Sequence, residues 1–445
     1  MRTRFLLLPF LVLLLLPAAC SVLEEAGLLE TAVPATPPTA TVAATPAFST
    51  TPDFTFPAAQ EMRPATRVAE TLIVWMPPEI AARTADGAAI LTDQLQEFNS
   101  AYPDLTLVVE QKPIDGPGGV LSYLRTGREI APSILPDLIA LPADQLTSVT
   151  TEGLIYPLDD RLAPDALDAL FPAPAAMARV DERLMGYPFA LTHLMHFAYS
   201  SSQITQTLPL TWGRLITGTQ NSLVFPADGR MGALLALSFY LDAGGGLTSE
   251  TGQPALQLEP LTLALEQLRQ ARDNGFISPQ SVNLATSAEA WQAFAAGAAP
   301  IVLTTPEQVL SQRGGAPRLG YTVVAGLNRP LTPRVSGWVW AVSTPDPARR
   351  ALAAELIGAL TAPEALSAWS LQSNMLPARR DALAAWPQED AYLNFVRQEL
   401  ERAEVNGLGA SGSVMTALGN AVFEVLSAAT TPRVAAEEAI AALTR

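Results

Sequence analysis

One stretch near the middle of the chain, Met185–Ser200 (MGYPFALTHLMHFAYS), limits the fold most strongly. Pro188 biases Tyr187 toward an extended backbone. Phe189, Leu191, Leu194, Phe197 and Tyr199 follow, with no glycine and no acid, lysine or arginine among them. Such a run suits a strand covered on both faces, passing between two packed bodies. Alternating strand and helix patterns lie on either side. The stretch therefore reads as the first connection between two lobes, and a cleft between lobes is a favoured place for a small molecule.

The flanking patterns define an α/β chain. Thr71–Trp75 and Leu105–Glu110 read as strands, and Leu91, Leu95, Phe98 and Tyr102 recur at helical spacing until Pro103. Pro136–Pro142 is a further buried strand. This βαβ order implies a parallel sheet with helices on its faces. Downstream, Thr211 is expected to cap a helix beginning TWGRLI, and Ser222–Phe225 reads as a short strand. Met231–Leu241 reads as a helix with Leu234, Leu235, Phe239 and Tyr240 on its buried side, stopped by Gly244–Gly246. Thr286 with Glu289, and Thr361 with Glu364, have capping-box spacing. Pro300–Thr304, Tyr321–Ala325 and Gly337–Val342 are the remaining strands. No repeat of 20–50 residues appears, which excludes a solenoid.

The beginning of the chain is different. Arg2 and Arg4 precede the apolar run Phe5–Leu16, and Ala18 and Ala19 stand before Cys20. This is the pattern of a targeting segment, 1–19, and the run is short for a transmembrane helix. Cys20 is the only cysteine, so no intramolecular disulfide can form. Its position resembles the lipobox of bacterial lipoproteins, which implies lipidation of Cys20. Ordinary secretion with a free Cys20 and a spanning anchor are the other readings. From Ser21 to Thr66 the chain is rich in Pro, Thr and Ala without periodicity, as in an extended tether. At about 3.1 Å per residue such a tether would reach on the order of 100 Å.

The formal charge of −16 argues against nucleic acid or an anionic membrane as partner. Lys112 is the only lysine, so cationic contacts to a ligand must come almost entirely from arginine. No catalytic constellation stands out. His193 and His196 would point to opposite faces of a strand, which is poor geometry for a shared metal. Asp159 and Asp160 are adjacent in a turn, as solvated acids usually are. Neither Gly244–Gly246 nor Gly314–Gly315 has a phosphate-binding context. The aromatics carry more information, because sugar rings stack their CH faces on Trp and Tyr. Trp75 ends the first strand, where side chains of an open α/β sheet meet the crevice. Trp338 and Trp340 alternate on one strand and so share a face. Tyr240 and Trp369 are further stacking candidates, and Thr192 and His193 could supply hydrogen bonds. Each has core packing as its competing role, and Trp212 and Trp291 are assigned to that role.

The residues TLIVW (71–75), LTDQLQEFNSAYPDLTLVVE (91–110), PDLIAL (136–141), GLIYPLDD (153–160), GYPFAL (186–191), LPLTWGRLI (208–216), AWQAFAAGAAPIVL (290–303) and LPARRDAL (376–383) occur in a specific order. That combination resembles the family 1 extracellular solute-binding proteins of ABC importers, the group that includes maltose-binding protein. The resemblance implies a two-lobed, type II periplasmic-binding-protein-like fold with crossing strands. It assigns 67–189 and 300–340 to lobe 1, and 190–299 and 341–445 to lobe 2. It further implies capture of a small solute, with a carbohydrate favoured, for an ABC importer, by an extracytoplasmic, lipid-anchored monomer that needs no cofactor and performs no chemistry. A binding module that reports ligand to a membrane receptor is the alternative reading, and a polysaccharide-processing enzyme a more distant one. Trp75, Trp338 and Trp340 would form one wall of the cleft. Thr192, His193 and Tyr240 would face them, with Trp369 nearby. Where the family often has an acidic residue after the hinge start, this chain has Thr192.

Overall fold

The computed structural model describes residues 70–445, except 132–133, 164, 206, 209–210, 218–222, 250–254, 313–317, 388–389, 408–411 and 444–445. Cys20 and the 21–66 tether lie outside the described residues.

The strands in chain order begin with β1 (Glu70–Met76), β2 (Leu105–Gln111) and β3 (Leu138–Pro142). A short hairpin, β4 (Arg179–Val180) and β5 (Arg183–Leu184), precedes β6 (Tyr187–Thr192) and β7 (His196–Ser200). Then come β8 (Leu223–Val224), β9 (Ile301–Thr304) and β10 (Leu319–Thr322). The last are β11 (Arg334–Val342), β12 (Leu376–Pro377) and β13 (Glu404–Val405).

Two larger sheets result. The first runs β12-β6-β11-β3-β1-β2, with β13 beside β11; the second runs β10-β7-β9-β8. β1 pairs in parallel with β2 and β3, as the βαβ pattern requires, whereas β11 lies antiparallel between β3 and β6. The apolar run at 185–200 is therefore two strands, one in each sheet. They are separated by His193–Met195, where His193 adopts the left-handed region at φ 67°.

The helices follow their sequence signals closely. In Ala85–Ala101, Thr84 accepts the Gly87 N–H, and Leu91, Leu95 and Phe98 are buried. Thr286 and Glu289 form a complete capping box on Ser287–Ala295. Two expected caps differ. Thr361 donates its hydroxyl to the Ile357 carbonyl of the preceding helix, and Ala362 occupies the cap of Pro363–Gln372 without a side-chain bond. Thr211 stands at the cap of Trp212–Leu215 but its side chain makes no capping bond.

The division between lobes also differs from the expected one. Within 300–340, β9 and β10 pair into the second sheet, and only β11 returns to the first. Within 341–445, the helices Pro347–Leu360 and Pro363–Gln372 pack on Ala85–Ala101 beside the first sheet. Gly412–Leu426 and Pro432–Leu443 join the second body, against Arg230–Asp242 and Leu258–Asp273, and the helix Ala391–Glu401 touches β10 through Tyr392 against Tyr321. Strand pairing decides membership, and a strand's apolar run does not reveal its partner. Among the described residues the chain thus changes body three times: at 193–195, between β10 and β11, and between β13 and the helix Gly412–Leu426.

A buried charge just ahead of β3 ties that strand to β1. Asp137, fully buried, accepts the Ile73 N–H at 2.8 Å, and Arg349 Nη1 lies 2.9 Å from its other oxygen.

Candidate functional site

A cleft of about 1280 Å³ opens between the two bodies. Its floor is the first passage. Thr192 ends β6, and its Oγ1 lies 3.1 Å from His193 Nδ1. The His193 N–H donates to Glu307 Oε1 at 3.2 Å, and Arg230 Nη1 lies 3.3 Å from His193 Nε2. A guanidinium can only donate, so Nε2 accepts and Nδ1 carries the proton that goes to Thr192. His193 is thus neutral. Its pKa is lowered to about 4, chiefly by burial; Glu307 pulls the other way, and Arg230 and Arg83 add to the fall.

β11 supplies Ser336, Gly337 and Trp338 to one wall. Trp338 is half-buried, so part of its ring meets the cleft while the rest packs on the core. Loops at the C-terminal ends of β2 and β3 bring Asp115, Asp144 and Gln145. Crowding by the cleft walls pushes the Asp144 carboxyl up, Arg230 opposes this, and Asp115 reinforces it. The facing wall comes from Arg230, Met231 and Leu234 and from Thr305, Glu307 and Gln308. Among the described residues, no three His, Cys, Asp or Glu side chains cluster as metal ligands.

Of the expected site residues, Thr192, His193 and Trp338 meet in this cleft, and the other four are core. Trp340 shares the Trp338 face but is 2% exposed and stacks on Phe189 at 4.8 Å. Trp369 packs on the same Phe189 at 5.6 Å. Tyr240 is fully buried; its hydroxyl accepts the Gln257 N–H and donates to the Gly246 carbonyl, closing the end of its helix. Trp75 is 3% exposed, edge-on to Tyr123 and covered by Lys112 Nζ 4.6 Å from its ring centre. Thr192 also belongs to the first sheet and not to the facing lobe. Trp212 and Trp291 are buried, as their assignment to packing requires. The sequence reading missed Arg83, Asp144, Arg230 and Glu307. All four lie in loops or at helix starts, where no periodicity marks a direction. The polar break Asp228-Gly229-Arg230 ahead of an apolar helix was the one available signal.

His196 lies behind the floor, 1% exposed, within 5.5 Å of the Tyr392 and Phe395 rings. Its Nδ1 bonds the Leu194 carbonyl at 3.0 Å. Burial lowers its pKa to about 4, against the pull of that carbonyl and of Glu307. The unfolded chain binds a proton near pH 6.5 and the folded one does not, so stability falls as pH drops from about 6.5 toward 4. A shift of this size is worth on the order of 3 kcal/mol. His196→Phe is expected to reduce the fall of denaturation midpoints across that window, leaving the share due to His193; an unchanged pH slope would show that His196 does not contribute to it.

A model of the bacterial extracellular solute-binding protein family matches residues 93–394. The chain belongs to that family. This solute-binding protein is similar in fold to several solved structures. The GacH receptor of Streptomyces glaucescens, solved unliganded and with acarbose, is 16% identical with a TM-score of 0.63. That match covers 84% of this chain and 97% of the receptor. The cyclic alpha-maltosyl-1,6-maltose binding protein from Arthrobacter globiformis is 17% identical, TM-score 0.64, covering 84% and 97%. A cyclo/maltodextrin-binding protein solved with maltotetraose is 15% identical, TM-score 0.67, covering 84% and 96%. At these identities the likeness establishes the two-lobed fold of the solute-binding protein. A search of curated proteins by sequence finds no match.

Proposed function

We propose that this solute-binding protein captures an oligosaccharide between its lobes and hands it to the permease of an ABC importer, performing no chemistry on it. The cleft carries the reading. It is wide, lined by hydroxyl, amide and charged side chains, and bears the Trp338 ring on one wall. Polar groups suit sugar hydroxyls, and the indole suits the CH face of a sugar ring. Ligand touching both walls would favour the closed arrangement of the lobes. The sugar ligands of the structural neighbours agree with this.

Calorimetric titration of the protein with neutral and acidic oligosaccharides tests the reading. Trp338→Ala should weaken whichever saccharide binds by about tenfold, the scale of one lost stacking contact with its area. A saccharide that binds the variant unchanged would remove Trp338 from the site. Absence of binding to any saccharide, with tight binding of another solute class, would overturn the carbohydrate reading.

We also place the protein on the outer face of a membrane through a lipid on Cys20, as a monomer on a long tether. Cys20→Ala should move it from the membrane to the soluble fraction, and a variant still pelleting with membranes would refute the anchor.

A further inference from the structure

Two arginines approach the floor of the cleft from opposite lobes. Arg83 follows the helix Pro78–Ala81 of the first lobe, and its Nε donates to the Ser373 carbonyl at 3.0 Å. Arg230 opens the helix Arg230–Asp242 of the second lobe and donates to neutral His193. Among the described residues, neither lies within ion-pair distance of a carboxylate. Three arginines elsewhere contrast with this: Arg125 pairs with Glu152 at 2.6 Å, Arg334 with Glu404 at 2.8 Å and Arg379 with Asp381 at 2.6 Å. Arg128, outside the cleft, is also held by uncharged acceptors, the Gly153 carbonyl and the Tyr156 hydroxyl. In a chain of formal charge −16, partners for a cation are plentiful. The two arginines of the cleft are nonetheless held by uncharged acceptors, which fix their positions without an ion pair. Both charges are felt at His193, which they help to keep neutral. The first turn of Arg230–Asp242 has no side-chain cap, because Gly229 occupies the cap position, so its N–H groups add positive potential at the same place.

The cleft also holds acids. Glu307 Oε1 is engaged by the His193 N–H, and Asp144 faces Arg230 from beyond ion-pair distance with Asp115 behind it. These are acceptors for hydroxyl groups. Together with the arginines they describe a ligand that has hydroxyls and a negative charge.

We propose that the ligand is an anionic saccharide, bearing a carboxylate or a phosphate, and that Arg83 and Arg230 clamp that group from the two lobes. A guanidinium presents paired donors that match either anion. In the empty cleft the two like charges oppose closure. An anion between them turns repulsion into attraction, so closure is driven by the charge of the ligand as well as by its contacts. This inference rests on the saccharide reading of the cleft.

The test is a titration of the purified protein with a uronic-acid oligosaccharide, a sugar phosphate and a neutral maltooligosaccharide of matched length, repeated on Arg230→Gln and Arg83→Gln. At least one acidic saccharide should bind tenfold or more tighter than the neutral one, and which of the two does so identifies the anion. Each variant should lose that preference by tenfold or more, its binding of the acidic saccharide falling much further than its binding of the neutral one. Both side chains are exposed in the cleft, so folding should survive, and unchanged thermal midpoints would verify this. A neutral saccharide that binds as tightly as the acidic ones would overturn the clamp and leave the saccharide reading standing. Acidic binding that ignores both substitutions would do the same. No saccharide binding at all would overturn both.

Discussion

Trp340→Ala should destabilise the protein by about 3–5 kcal/mol, the usual cost of removing a packed tryptophan. The side chain is 2% exposed, stacked at 21° on Phe189, and Trp369 packs on the same Phe189 ring at 53°. No neighbour can collapse into the space without breaking that aromatic layer. Ligand affinity, measured below the unfolding transition, should stay within a factor of about two, because the indole does not line the cleft. The comparison with Trp338→Ala is the useful one. Two tryptophans on one face of one strand, two residues apart, are expected to split cleanly into stability and affinity. A Trp340→Ala protein with unchanged denaturation midpoint and weakened binding would mean that the layer at Phe189 has been assigned the wrong role.

Asp137→Ala is expected to cost about 3–5 kcal/mol, because it breaks a buried pair and strips the Ile73 N–H of its acceptor. Asp137→Asn should cost much less, since an amide oxygen can still accept that N–H. Arg349 is 28% exposed and can turn to water, which limits the damage on its side. Burial raises the Asp137 pKa, more than the Ile73 N–H and Arg349 lower it. The folded chain therefore holds this proton more tightly than the unfolded one. The contribution of Asp137 to stability declines as pH rises from the ordinary carboxylate value through the raised one, and the Asn variant should lack that decline. Urea denaturation of both variants at two pH values measures this. Equal losses for Ala and Asn would show that the charge, and not the accepted N–H, matters.

These two residues show how much the sequence makes legible. The strands were readable because TLIVW, LIALP and IVLT are apolar runs of strand length with punctuation on both sides. Their partners were not. β9 looks like β3 in sequence, yet one belongs to each sheet, because pairing depends on partners distant in the chain, such as Leu138 with Val74 and Val342, and Thr304 with His196. The floor of the cleft was partly readable, since Thr192 and His193 interrupt an otherwise apolar run. Trp340 was ambiguous for a physical reason: alternation fixes which face a residue shares with Trp338, but not how far that face extends under the lobe before reaching solvent. Arg83, Asp144 and Glu307 gave no signal, because the loops and helix starts that carry them have no period. Arg230 was marked only by the polar break before its helix, and the convergence of the four exists only once two sheets are placed side by side.

The central place of β11 has a consequence for how the protein comes into being. β11 lies between β3 and β6, and it is made of residues 334–342. Until those residues emerge, β3 and β6 are open edges of strongly apolar strands, ready to pair with another chain. The second body likewise waits for 412–443 to cover the helices Arg230–Asp242 and Leu258–Asp273. Neither half can finish while the chain is still being delivered from its N-terminus. Such a protein is suited to crossing a membrane as an unfolded thread and unsuited to folding on the way. A chain stopped short of residue 334 should aggregate instead of yielding a smaller working lobe.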